Sequence, residues 1–187
     1  MLSRRFGVEV EFTGITRREA ADAAAAYLGT TAVYAGGYYG IYEVRAPDRR
    51  VWKFMYDGSL DCQRREGGRT VTADSRYSVE MVTPILRYQE DIATLQGMLR
   101  RLRKAGGFAN RSCGIHIHLD GAEHTVRSIR NFINIIASRN DLFYKALQIA
   151  PERMHYCQKM DQWLVERMNQ LKPTTMQQLE DIWYEKY

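Results

Sequence analysis

Five side chains on three short stretches are of the types that hold hard cations or phosphate. Glu9 and Glu11 alternate with Val8, Val10 and Phe12, so in a strand both carboxylates leave one face about 7 Å apart, each residue advancing ~3.3 Å. At an effective dielectric near 20 such a pair repels by about 2.4 kcal/mol, but in open water by only about 0.6 kcal/mol. On a solvated face this is ordinary surface charge. Inside a cleft the pair needs a cation, and carboxylate oxygens favour magnesium or manganese over zinc. His116 and His118 repeat the spacing between Ile115, Ile117 and Leu119, and a His-x-His strand serves either as a metal or phosphate contact or as a hydrogen-bonded pair on a polar sheet face. Glu80 alternates with Val79 and Met81; alone it would be surface decoration. If the three strands share a sheet, five metal-competent groups line one hollow.

The elements that would position them follow from the hydrophobic pattern. Phe6 to Phe12 alternates with period two, and Thr16 with Glu19 forms a capping box for an alanine-rich helix running to Leu28. Gly29 to Gly40 is rich in glycine and tyrosine, without phosphate-loop spacing, and is expected to be a loop or hairpin connection. Trp52, Phe54 and Tyr56 mark a strand that ends at the Asp57-Gly58 turn. After a polar connection at Glu66 to Arg69, another strand runs from Tyr77 to Val82 and stops at Pro84. Ile92, Leu95, Leu99 and Leu102 predict a helix ended by Gly106-Gly107, and a strand at Ile115 to Leu119 follows. The remainder is helical: one long amphipathic stretch at Val126 to Ile136, another at Trp163 to Leu171, and a last one from Met176 to the end behind a Thr175 cap. No linker or repeat divides the 187 residues. The expectation is one α+β domain over residues 1–187, an antiparallel sheet with helices packed on one face.

Hydrophobic residues at 45% and charged residues at 26% exclude disordered, collagenous and disulfide-scaffold classes. Cys62, Cys113 and Cys157 are too few and too far apart for a zinc site or a disulfide framework. The net charge of +5 is spread in short basic clusters along the chain, which suits an anionic small ligand better than a nucleic-acid stripe. No apolar run is long enough to cross a bilayer, and Met1 to Arg5 leads into a strand rather than a signal peptide. A cytoplasmic location, with no nucleic-acid and no membrane partner, is expected.

Four motifs in order tie these residues to a family. Gly7-Val8-Glu9-Val10-Glu11, Asp57-Gly58-Ser59-Leu60, Val79 to Pro84 and Asn110 to His118 resemble the putative amidoligases, which are similar to the glutamine synthetase and glutamate–cysteine ligase superfamily of carboxylate–amine ligases. The resemblance is strong over Arg5 to Leu119 and loose beyond. It implies a sheet of the glutamine synthetase catalytic-domain type that binds ATP with Mg2+ or Mn2+. Carried over by position, Glu9, Glu11 and Glu80 are implied as metal ligands, with His116 or His118 as a further metal or phosphate contact. Asp57 and Glu80 are implied as catalytic residues, and Ser59 and Asn110 as substrate-binding ones. The implied chemistry is phosphorylation of a carboxylate, from an amino acid or peptide, followed by amine attack on the acyl phosphate; a homo-oligomer is compatible with it. The family's late Thr-x-Glu-x-Arg strand has no match in Asp120 to Tyr187, so the expected sheet lacks its final strand. Two other readings stay open: a metal-dependent hydrolase or cupin-like enzyme built on His116, His118 and Glu123, and an inactive nucleotide- or peptide-binding domain of the same fold.

Overall fold

The computed structural model describes residues 4–185. Met1–Ser3 and Lys186–Tyr187, which the expected first strand and last helix would adjoin, lie outside them. The chain divides into two compact units meeting at Asp120 and Gly121, and no change in composition marks the border.

The first unit carries β1 (Arg5–Phe12), α1 (Arg17–Leu28), β2 (Ala32–Gly36), β3 (Ile41–Arg45), β4 (Val51–Met55), β5 (Gln63–Glu66), β6 (Arg69–Thr72), β7 (Val79–Val82), β8 (Leu86–Arg87), α2 (Tyr88–Lys104) and β9 (Ile115–Leu119). Seven strands form one antiparallel sheet in the order β2-β3-β4-β7-β1, with β8 and β9 also paired to β1. The α+β class with an antiparallel sheet is therefore as the sequence suggested. On β1, Glu11 stands opposite Glu80 of β7 and Glu9 opposite His116 of β9. Between β7 and β8 the chain bulges. Thr83 donates its N–H to Val8 O (3.0 Å) and accepts the Val8 N–H on Oγ1 (2.9 Å), after which Leu86 pairs with Phe6 one residue out of step.

Alternation then sorts the faces. Val8, Phe12, Val44, Trp52, Phe54, Val79 and Met81 point to α1 and α2 and pack with Ala20, Ala24, Leu95, Met98 and Leu102. Thr16 makes the expected capping box with Glu19, and Gly29 closes α1 in the left-handed region. The two helices touch where the half-exposed phenol of Tyr27 lies against Gly97, in space that a Cβ at Gly97 would claim. Arg50 reaches the first turn of α2 and holds Asp91 bidentately (2.6 and 2.9 Å), while Asp91 Oδ2 also accepts the Arg87 N–H (2.7 Å). That basic cluster is structural rather than solvated.

Two features depart from the sequence expectation. The connection at Glu66 to Arg69 is the tip of a hairpin, β5–β6, whose turn uses Gly67 and Gly68 at φ 55° and 78°, the positive pair that a two-residue primed turn demands. And the apolar side chains of β9 are not core. Ile115, Ile117 and Leu119 are 64–68% exposed, because α1 packs on β2, β3 and β4 and α2 on β8, so β9 lies beyond the helices of its own unit.

The second unit is helical: α3 (Val126–Ala146), α4 (Gln162–Leu171) and α5 (Met176–Tyr184). They bury Ile133, Leu164, Val165, Met168, Leu179 and Ile182 together. Thr125 with Ser128 and Thr175 with Gln178 form capping boxes, and Asn134 and Asn169 exchange amide hydrogen bonds between α3 and α4 (2.8 and 3.1 Å). Within the first unit, α1 and α2 cover the sheet. Among the described residues no helix is long and apolar enough to cross a membrane.

Candidate functional site

The sheet face turned away from α1 and α2 collects the residues singled out in the sequence. Glu11 is 4% exposed; its Oε2 accepts the Gly114 N–H at 2.6 Å, which anchors the turn into β9. Across the β1–β9 pairing, His116 Nε2 lies 3.3 Å from Glu11 Oε1 and Nδ1 lies 3.6 Å from Glu9 Oε2, while His118 Nε2 lies 3.1 Å from Glu9 Oε1. On the other side of β1, Glu80 pairs with both Glu11 and Met55, and the segment that leaves β4 after Met55 delivers Asp57.

Asp57 is held by a reciprocal clamp. Its N–H donates to Ser78 Oγ (3.0 Å) and its carbonyl accepts from the same hydroxyl (2.6 Å), with Ser78 fully buried. The outcome is a trio: Glu11, Asp57 and Glu80 each offer an oxygen, all within 4.8 Å of one another. Glu9, His116 and His118 stand beside it. Residue spacing alone assigned Asp57 no metal role, because only the β4–β7 pairing brings it to Glu80.

The other two candidates are placed differently. Ser59 is on the exposed turn and donates its N–H to Asp57 Oδ1 (2.7 Å), so it shapes the carboxylate's setting. Asn110 does not join the cluster. Its amide N–H groups go to Asp61 O (2.7 Å) and Gln63 Oε1 (3.1 Å), and its Oδ1 accepts from Ser112 N–H (2.9 Å), which ties the loop before β9 to the segment leading into β5.

A family described as "putative amidoligase enzyme" matches residues 2–187. The chain belongs to this family. No curated protein and no solved structure matches it. Membership agrees with a ligase at a coarse level, and the order of motifs on β1, after β4, on β7 and on β9 is the order in which this family member builds its polar sheet face.

The chemistry of the trio suits a hard cation. Ligands on opposite sides of octahedral magnesium lie ~4.2 Å apart, twice a bond of about 2.1 Å, so small side-chain rotations would bring oxygens now within 4.8 Å onto one ion. Crowding the anions has a measurable consequence. Burial, then the charges of Glu9, Asp57 and Glu11, push the Glu80 carboxyl up to about 7, with His116 acting the other way. Between about pH 4.5 and 7 the folded chain therefore holds a proton at Glu80 that the unfolded chain has released, and stability falls as pH rises through that window. In metal-free protein, Glu80→Gln is expected to raise stability by about 1–2 kcal/mol at pH 8, after allowance for solvent screening, and to change little at pH 4.5. Urea titrations at the two pH values measure this; an equal effect at both would contradict the like-charge origin.

Proposed function

We propose that this chain is an ATP-dependent ligase that joins a carboxylate to an amine through an acyl phosphate. The observation that carries the reading is the convergence of Glu11, Asp57 and Glu80 from three chain segments onto one set of hard oxygen donors, in a member of an amidoligase family. In the first step a substrate carboxylate oxygen bonds to the γ-phosphorus of ATP as the bond to the ADP oxygen breaks. In the second, the amine bonds to the acyl carbon, the carbon–oxygen bond to phosphate breaks, and the amine gives up a proton.

Glu11, Asp57 and Glu80 would hold Mg2+ or Mn2+. Such a cation, when bound, offsets the repulsion between a carboxylate nucleophile and a polyphosphate. The chain's own groups do the rest. The Ser78 clamp fixes the Asp57 backbone, the Ser59 N–H holds its carboxylate and the Gly114 N–H holds that of Glu11, so only small side-chain rotations separate these oxygens from a common ion. Glu9, held by His116 and His118 outside the trio, would accept the amine's proton.

The test is phosphate release from ATP with magnesium and a panel of amino acids and peptides as acids and amines. Phosphate formed one-for-one with an amide, and only when acid and amine are both present, is the expected result. Nucleotide binding without turnover across the panel would favour the inactive-domain reading. Iron or zinc retained without any nucleotide affinity would favour a hydrolase or cupin-like site.

A further inference from the structure

We propose that the substrate lying beside the carboxylate cluster is a short peptide with a free C-terminal carboxylate, extended along β1 with that carboxylate on Arg5. The proposal rests on the ligase reading and specifies its substrate class. A cavity of about 340 Å³ opens on β1, with Glu9 and His118 towards the cluster, the Arg5–Asp120 pair at the far end, and Val82 on one wall. Arg5, Gly7 and Glu9 alternate on the face that carries the cluster. His118 stands across from Gly7, and the Asp120 N–H donates to Arg5 O (3.0 Å).

Three features define the ligand. The first is an anion site. Asp120 Oδ2 takes Arg5 Nε (2.7 Å) and Nη2 (2.6 Å), which among the described residues leaves the Nη1–Nη2 edge of a half-exposed guanidinium, a fork that matches a carboxylate. The second is length. Arg5 and Glu9 are four strand steps apart, about 13 Å, a span that one amino acid cannot bridge and about four extended residues can.

The third is Gly7 itself. Its backbone is not in the left-handed region, and an added Cβ would meet only the His118 Cβ at an ordinary 3.9 Å. The fold therefore tolerates a side chain here; only the cavity uses its absence. A chain laid along β1 would present its N-terminal end to Glu9 and His118, where an amine is needed for attack on the acyl phosphate.

Titration calorimetry on the full chain, without nucleotide or magnesium, tests this with L-alanine, tetraalanine and tetraalanine amide. Tetraalanine is expected to bind at least about tenfold more tightly than either L-alanine or its own amide. Arg5→Gln should lower tetraalanine affinity to that of the amide and abolish the difference between the two. Gly7→Val, folded by circular dichroism, should lose tetraalanine binding. Glu80→Gln should keep it while losing magnesium affinity, so a failed metal site and a failed peptide site give different results. Tetraalanine binding no tighter than L-alanine, or equal affinity for acid and amide in the wild type, would overturn the proposal.

Discussion

Glu11→Gln is expected to lower ATP-dependent amide formation by about 10²–10³-fold, the scale of losing one electrostatic contact to the transition state. The exchange removes a charge and little else. The side chain is 4% exposed, its carbonyl oxygen can still accept the Gly114 N–H that Glu11 now accepts at 2.6 Å, and the backbone pairing of β1 to β7 and β9 is untouched. Magnesium affinity should fall with activity, because one of three oxygen donors becomes neutral. Glu43→Gln is the control. That carboxylate is on β3, ion-paired to Lys53 at 3.7 Å, and activity should be unchanged. Steady-state phosphate release on both variants, with thermal unfolding to confirm the fold, decides the matter. Equal activity in wild type and Glu11→Gln would remove Glu11 from the site.

Phe54→Ala is expected to cost about 3–5 kcal/mol of stability, the largest effect of any single truncation named here. Phe54 has no exposed surface and sits between Tyr42 of β3 and Met81 of β7 in the pairing, so its loss opens a void where sheet and helices meet. The next pair along, Met55 with Glu80, brings in the cluster's own Glu80, and metal affinity should decline with stability. Ile117→Ala is the contrast. At 64% exposure its truncation should cost less than about 0.5 kcal/mol of stability. Urea denaturation with unchanged slope measures both; similar losses at the two positions would mean that β9 is covered.

Much of this arrangement is legible in the sequence because it rests on short-range signals. Period-two alternation places Glu9 with Glu11, and His116 with His118, on one face each, and the Thr16–Glu19 box fixes the start of α1. What alternation cannot supply is which strands are neighbours. Asp57 enters the trio only because β4 pairs with β7, a long-range contact between residues about 25 positions apart, and its clamp by Ser78 has no local signature. Asn110 has a structural part that its motif did not announce. Its position in a family motif implied a substrate contact, and its amide ties the loop before β9 to Asp61 and Gln63 through pairings that the motif does not encode. The β5–β6 hairpin was within reach, since Gly67-Gly68 between Arg64-Arg65 and Thr70-Val71-Thr72 is a two-residue turn signal. The exposure of β9 was not, because an apolar row of side chains says nothing about whether a helix covers it.

The most direct measurement is anomalous scattering from crystals of the chain grown with manganese. A peak bonded to oxygens of Glu11, Asp57 and Glu80 at about 2.1–2.2 Å, absent from Glu11→Gln crystals grown the same way, is the predicted result. Manganese bound elsewhere, with these three carboxylates left to solvent, would contradict the account.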